Sequence, residues 1–160
     1  MSSELSTAKL FLADELPQLL DQLKPEQQPE WGLMTPQHMV EHLIIIAKLS
    51  LGRFDVPIAS AKEELEKRKK YLITDGPMQR SIQMPDGNQA LKPLKYPNLQ
   101  QAIDELKATM QKVLERESSG IEELVNHPFG GPMTVSEWIL FHRKHIKHHC
   151  IQFGLIPDYD

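Results

Sequence analysis

The 160-residue sequence predicts an all-α fold: a four-helix bundle with long loops after its second and third helices. Three observations carry that reading. Four segments repeat their apolar residues at the period of an amphipathic helix. Three of those segments open on a side chain that can accept a free backbone N–H: Thr35, Asn98 and Thr134. No stretch alternates apolar and polar residues convincingly enough for a half-buried strand. Hydrophobic residues at 40% and charged residues at 25% match an ordinary globular chain and exclude a disordered one. The length fits one domain over residues 1–160, able to bury roughly 70% of its unfolded surface.

The first helix is expected from about Ser3 to Leu23, with Leu5, Leu10, Phe11, Leu16, Leu19, Leu20 and Leu23 apolar. Pro17 sits inside it and should kink or split it, because proline offers no N–H and crowds the preceding turn. A loop with Pro25 and Pro29 leads to Trp31-Gly32. The second helix has the clearest start, with Thr35 as N-cap and Pro36 in the first turn, where a missing N–H costs nothing. Met39, His42, Leu43 and Ile46 recur along it, and Gly52 is the expected stop. Residues 53–97 form a long excursion. Ser60 and Glu63 read as a capping box opening a short charged helix to about Tyr71. Asp75-Gly76-Pro77, Pro85-Asp86-Gly87-Asn88 and Pro93 then punctuate the chain. The third helix starts at Asn98, with Gln101 in the reciprocal capping position. It carries Leu99, Ile103, Leu106, Met110, Val113 and Leu114 as its stripe and ends before Ser118-Ser119-Gly120. A second loop, Asn126 to Pro132, precedes the Thr134/Glu137 capping box of the fourth helix, which runs to about Phe153.

Several function classes drop out early. Acidic residues number 22 against 18 Lys+Arg, a formal charge of −4, whereas a non-specific nucleic-acid binder needs a basic face. One cysteine, Cys150, excludes an internal disulfide and multi-cysteine metal sites. The longest unbroken apolar run, Leu43–Ala47, falls far short of the roughly 20 residues a membrane span needs. Met1–Lys9 holds Glu4 and no basic cluster before an apolar stretch, so no secretory signal is read, and a cytoplasmic protein is expected.

What composition leaves unexplained is histidine. There are seven, four of them between 142 and 149. On a wheel of about 100° per residue, His145, His149, His142 and Phe153 fall within an arc of about 80° that also includes Trp138. Arg143, Lys144 and Lys147 fall opposite, on the expected solvent side, and His148 lies off the stripe. Core-facing imidazoles are costly unless both ring nitrogens are satisfied. His145 and His149 are four residues apart, close enough on one helix face for two imidazoles to meet one divalent ion. His42 lies on the apolar face of the second helix and supplies a third ligand from a facing helix. Three neutral nitrogens leave positions for water or substrate, as in catalytic metal sites. His142 is expected as a neighbour assisting a ligand, and Glu41 as a surface residue or a partner holding a ring N–H. His38, His127 and His148 are expected bystanders.

Other signals are weaker. His38-Met39-Val40-Glu41-His42 matches H-x-x-E-H in letters, a zinc protease signature with the glutamate as base, but leaves the fourth-helix cluster unused. Cys150 sits about 100° round the helix from His149, poorly aimed for a Cys–His pair, and reads as a small buried residue. There is no glycine-rich phosphate loop and no G-x-S-x-G elbow.

The stretch Trp31-Gly32-Leu33-Met34-Thr35-Pro36, followed by Met39-Val40-Glu41-His42-Leu43, resembles the second-helix entry of the DinB superfamily. His145-Ile146-Lys147-His148-His149 with Gln152 is similar to the H-x3-H element of that family's last helix. The segment from His127 to Phe153 resembles an uncharacterised DinB-like branch with H-P-F-x-G-P-x-T-x-x-E-W before the last helix. Cys150-Ile151 stand where the family often has Arg-Gly. The resemblance implies a DinB-like four-helix bundle holding a metal through His42, His145 and His149, bacterial origin and a homodimer. It further implies a transferase of low-molecular-weight thiols or a related hydrolase. The expected cofactor is a divalent metal ion, zinc or nickel, and the expected partner a small-molecule substrate such as a low-molecular-weight thiol. A divalent ion there would bring a bound water or thiol to a nucleophilic state near neutral pH. The competing expectations are a non-catalytic metal or small-ligand binding bundle, such as a stress-response accessory protein, and a bundle whose histidines are purely structural.

Overall fold

The computed structural model describes residues 2–80 and 91–159, most of them helical. The turn expected over Pro85-Asp86-Gly87-Asn88 lies outside the described residues. Helix α1, Ser2–Leu10, runs into a π-helical turn, Phe11–Glu15, and then α2, Leu16–Asp21. The break expected at Pro17 takes this form. The Leu16 N–H reaches back to the Phe11 carbonyl, a five-residue step. Proline at the start of α2 can donate to no carbonyl, and the widened turn accommodates its ring. The buried face then runs through Ala8, Phe11, Leu12, Leu16 and Leu20, which leaves Leu10, expected on the apolar stripe, 59% exposed.

Helix α3, Pro36–Ser50, is the predicted second helix, and the Thr35 hydroxyl accepts the His38 N–H at its start. Gly52, at φ +78°, ends it in the left-handed conformation that glycine adopts without strain. Helix α4 spans Lys62–Ile73, two residues beyond the predicted end. The capping box expected at Ser60 and Glu63 is absent. Ala61 occupies the N-cap without a side-chain bond, and the Ser60 hydroxyl instead accepts from Arg68. Helix α5, Leu99–Ser118, begins where Asn98 accepts the Gln101 N–H. Helix α6, Val135–Gln152, starts with the full Thr134/Glu137 capping box, 3.1 Å and 2.9 Å in its two directions.

The sequence reading foresaw no strand, yet β1, Val125–His127, pairs antiparallel with β2, Gly131–Met133, in register Val125↔Met133 and His127↔Gly131. Three residues per strand, with a proline and a glycine among the six, are too few for an alternating pattern. What holds the hairpin is tertiary: the Trp138 indole N–H donates to the Val125 carbonyl at 3.0 Å.

The main core joins α1, the π turn, α2, α3, α5 and α6 around Met39, Ile103, Leu106 and Ile139. A smaller cluster of Leu49, Leu72, Val125, Met133, Trp138 and Phe141 sits under α4 and the hairpin. Helix α6 belongs to both and is covered nearly all round. The expectation that Arg143 and Lys144 face solvent is therefore corrected: they are 2% and 3% exposed. Helices α1 and α4 close over that side of α6. Lys144 donates to the Tyr71 and Thr74 carbonyls at 2.8 and 3.0 Å, placing an ammonium at the negative end of α4. Arg143 reaches the Glu4 carbonyl and stands 3.7 Å from Asp75. A wheel shows the polarity of one helix, not which neighbours cover it. Lys147 alone of the three keeps part of its side chain in solvent.

Candidate metal centre

The two helices α3 and α6 bring three imidazoles together. His42 comes from the middle of α3, and His145 and His149 from successive turns of α6. The His42 and His145 Nε2 atoms are 3.0 Å apart, and the His149 and His145 Nε2 atoms 3.2 Å. The rings meet nearly edge to face, with centroids 4.9, 5.1 and 4.8 Å apart and interplanar angles of 79°, 70° and 77°. This is the pattern of three rings aiming one corner each at a common point. His145 and His149 are buried, and His42 is half-buried.

Burial sets the protonation state. It pushes the His42 imidazolium down to about 4, with the positive charges of Lys92 and His148 adding to the effect. His145 and His149 are held well below the ordinary histidine range by burial and by one another, the Gln152 hydrogen bond partly opposing this at His149. All three are thus neutral near pH 7, each with a lone pair to give.

One tautomer can be assigned from its partners. The Gln152 amide nitrogen donates to the Trp31 carbonyl at 3.0 Å, so its oxygen faces His149 and accepts the Nδ1–H at 2.7 Å. His149 Nε2 is therefore bare and points at the cluster. His145 stacks on Phe141 at 5.2 Å, and its buried Nδ1 has no partner among the described residues.

The donor set fits a divalent ion. Two nitrogens each about 2.0–2.1 Å from an ion stand roughly 3.0 Å apart at a right angle and 3.4 Å apart at the tetrahedral angle. The observed 3.0 and 3.2 Å lie within that span. Within the protein alone, at most one proton can sit between each facing pair of nitrogens, whereas an ion uses all three lone pairs. The three histidines could hold a metal ion.

A family model described as the DinB superfamily matches residues 11–153. The chain belongs to the DinB superfamily. No curated protein matches it and no solved structure matches it. The matched span includes α3, α6 and all three converging histidines, and DinB proteins often bind metal.

The other residues singled out by sequence sort by their partners. His142 is near the cluster on α6, but its Nε2 meets the Ser50 hydroxyl at 2.9 Å and no candidate ligand. Glu41 is buried, not at the surface, and its carboxylate accepts from the backbone N–H groups of Lys95 and Tyr96 and from the Gln37 amide, holding no ring N–H. Those bonds together keep its pKa low against the opposing effect of burial. With its oxygens so occupied, Glu41 is not placed as a protease-type base. His38 bonds to Thr35 at 2.7 Å, and His127 accepts from the Phe129 and Gly130 N–H groups in the hairpin turn. The Cys150 thiol is buried and pushed up to about 12, an inert packing residue as expected. His148 is less remote than expected, its ring 5.0 Å from that of His149.

Sequence reasoning passed over Gln152 as a partner of the site. Two signals could have found it: its place in the stretch that resembles the DinB last helix, and its spacing, since three residues after His149 is close to one helical turn and within side-chain reach. It also passed over Gly32. At φ +84°, a Cβ there would stand 3.1 Å from the Gln152 amide nitrogen, so glycine is what lets Trp31 receive that amide.

Proposed function

We propose that this DinB protein holds a divalent metal ion through His42, His145 and His149 and acts as a metal-dependent enzyme on a small molecule, by group transfer or hydrolysis. The observation that carries the reading is the convergence of three neutral Nε2 atoms within 3.0–3.2 Å contacts. We read the architecture as a four-helix DinB-like bundle of α1–α2, α3, α5 and α6, with α4 and the hairpin as additions packed on α6. His42, His145 and His149 are the ligands. Gln152 holds the His149 ring in its metal-facing tautomer. Phe141, stacked on His145, keeps that side of the site dry. A divalent ion at such a site lowers the pKa of a coordinated protic group toward neutrality. Zinc and nickel both suit imidazole ligands.

Elemental analysis of purified protein incubated with zinc or nickel, beside a His145→Ala/His149→Ala variant, tests the metal. Equal metal in the two proteins would sink the reading. Loaded protein is then assayed with low-molecular-weight thiols plus electrophiles, and with esters and amides. Turnover that disappears in the double variant supports the enzyme, and none across both panels favours a non-catalytic metal-binding bundle.

A further inference from the structure

Two surface clefts of about 420 and 530 Å³ lie away from the histidines. One is bordered by Leu51, Arg53 and Arg116, the other by Leu65, Lys69 and Gly130, and no candidate ligand lines either. His145 and His149 are each 7% exposed. Access to them therefore requires a covering group to move, and the flanks of the cluster differ in how firmly they are held.

Toward α3, the chain around Tyr96 is pinned by three hydrogen bonds. Glu41 accepts the Lys95 and Tyr96 N–H groups at 2.7 and 3.2 Å, and the Gln37 amide donates to the Tyr96 carbonyl at 2.8 Å. Along α6, buried Phe141 is stacked on His145. On the His149 side, a strap of residues 27–32 is docked just as firmly through its backbone and Gln27. The Glu30 N–H donates to the Gln152 carbonyl at 2.7 Å, the Gln152 amide to the Trp31 carbonyl at 3.0 Å, and the Gln27 amide to the Phe153 carbonyl. The Trp31 side chain is held differently. Its half-buried ring stands 5.3 Å from that of His148, which is 5.0 Å from that of His149. The Arg80 guanidinium lies 3.8 Å from the Trp31 ring centroid and pairs with Asp158. The Arg80 and Asp158 side chains are 48% and 55% exposed. A cation–π contact and an ion pair, both open to water, thus join three segments distant in sequence. Each is weak in solvent, and together they favour the closed form by only about tenfold.

We infer that Trp31, Arg80 and Asp158 form a latch across the His149 flank of the cluster. Its release lets the Trp31 ring turn away from His148 and opens a way to His149, while the backbone of the strap stays docked on α6. That the latch admits a metal ion rests on the metal reading above, and the latch itself does not. Salt weakens it, because the ion pair is exposed.

Arg80→Ala is the variant that tests it. Asp158 is left in place because the exposed Glu30 carboxylate, next to Trp31 in the chain, is a substitute anion for Arg80. Carbethoxylation of metal-free protein by diethyl pyrocarbonate, mapped by peptide mass spectrometry, reads access to each imidazole. Arg80→Ala should speed the modification of His149 about tenfold and leave buried His127 and His142 unchanged. Zinc uptake and zinc release to a chelating indicator should both quicken about tenfold, with affinity kept within about twofold, because a latch alters the two rates alike. In about 1 M salt the unaltered protein should approach the rates of the variant. Equal His149 modification in the two proteins overturns the inference whether or not metal binds. Zinc exchange unmoved by Arg80→Ala also overturns it, as does an affinity that falls without faster exchange, since Arg80 would then only support the ligands. Faster modification in a protein that holds no zinc upholds the latch and sinks the metal reading.

Discussion

Helix α6 carries two groups of buried histidine environments that look alike in sequence and differ in what the nitrogens meet. Toward its start, His142 pairs with the Ser50 hydroxyl, and His127 from the hairpin packs on Trp138 and Phe141 while accepting two backbone N–H groups. One turn on, His145 and His149 aim their Nε2 atoms at each other and at His42, with no other donor meeting them among the described residues. Both groups are buried and both are neutral. Burial and helical spacing therefore do not separate a structural imidazole from a ligand. The partner does. A satisfied histidine belongs to the core, and a set of unsatisfied ones sharing a focus is a site.

The largest effect should come from breaking the focus. His145→Ala/His149→Ala should weaken zinc or nickel affinity by at least about a thousandfold, measured by competition with a chelating indicator. Ser50→Ala should leave that affinity unchanged. The satisfied group should show itself through acid. An unfolded histidine binds a proton below about 6.5, whereas His127 stays neutral down to about 4 and His142 to about 3. The unfolded state thus holds more protons in this window, and stability must fall as pH drops through it. His127 accounts for up to about 3 kcal/mol of that loss and His142 for up to about 5 kcal/mol. Urea melts of metal-free protein at pH 7 and 4.5 should show the fall, to which the buried His42, His145 and His149 add, and His127→Gln should lessen it. A melt insensitive to pH in this range would contradict the burial argument.

Smaller effects sharpen the boundary between the groups. Gln152→Leu removes the acceptor of the His149 Nδ1–H and the donor to the Trp31 carbonyl, and should cost about 10–100-fold in metal affinity together with about 1–3 kcal/mol of metal-free stability. Gly32→Ala should move in the same direction, because its Cβ crowds the Gln152 amide. Ser50→Ala should lower stability by about 1 kcal/mol, since His142 loses its partner in the core. If Ser50→Ala weakens metal binding as much as Gln152→Leu, the two groups are one network and the comparison fails.

Much of this was readable from residues alone. Thr35, Asn98 and Thr134 each cap the helix they were expected to cap, because an N-cap is a local hydrogen bond between near neighbours. The convergence of His42 with His145 and His149 was legible because two faces of known polarity had to meet. What sequence missed was set by distant contacts. The hairpin is held by Trp138 and too short to show a period. Arg143 and Lys144 are buried because α1 and α4 fold over them. Glu41 was expected at the surface or holding a ring N–H, yet a segment over fifty residues away claims its oxygens. Gln152 needed Trp31 to fix which end of its amide faces the ring.

The central claim is that three imidazoles share one ion. X-ray absorption of zinc- or nickel-loaded protein, beside the His42→Ala variant, tests it most directly. The account predicts scattering from three imidazole nitrogens at about 2.0–2.1 Å, falling to two in the variant. Metal bound with one imidazole or none, or a spectrum unmoved by His42→Ala, would contradict it.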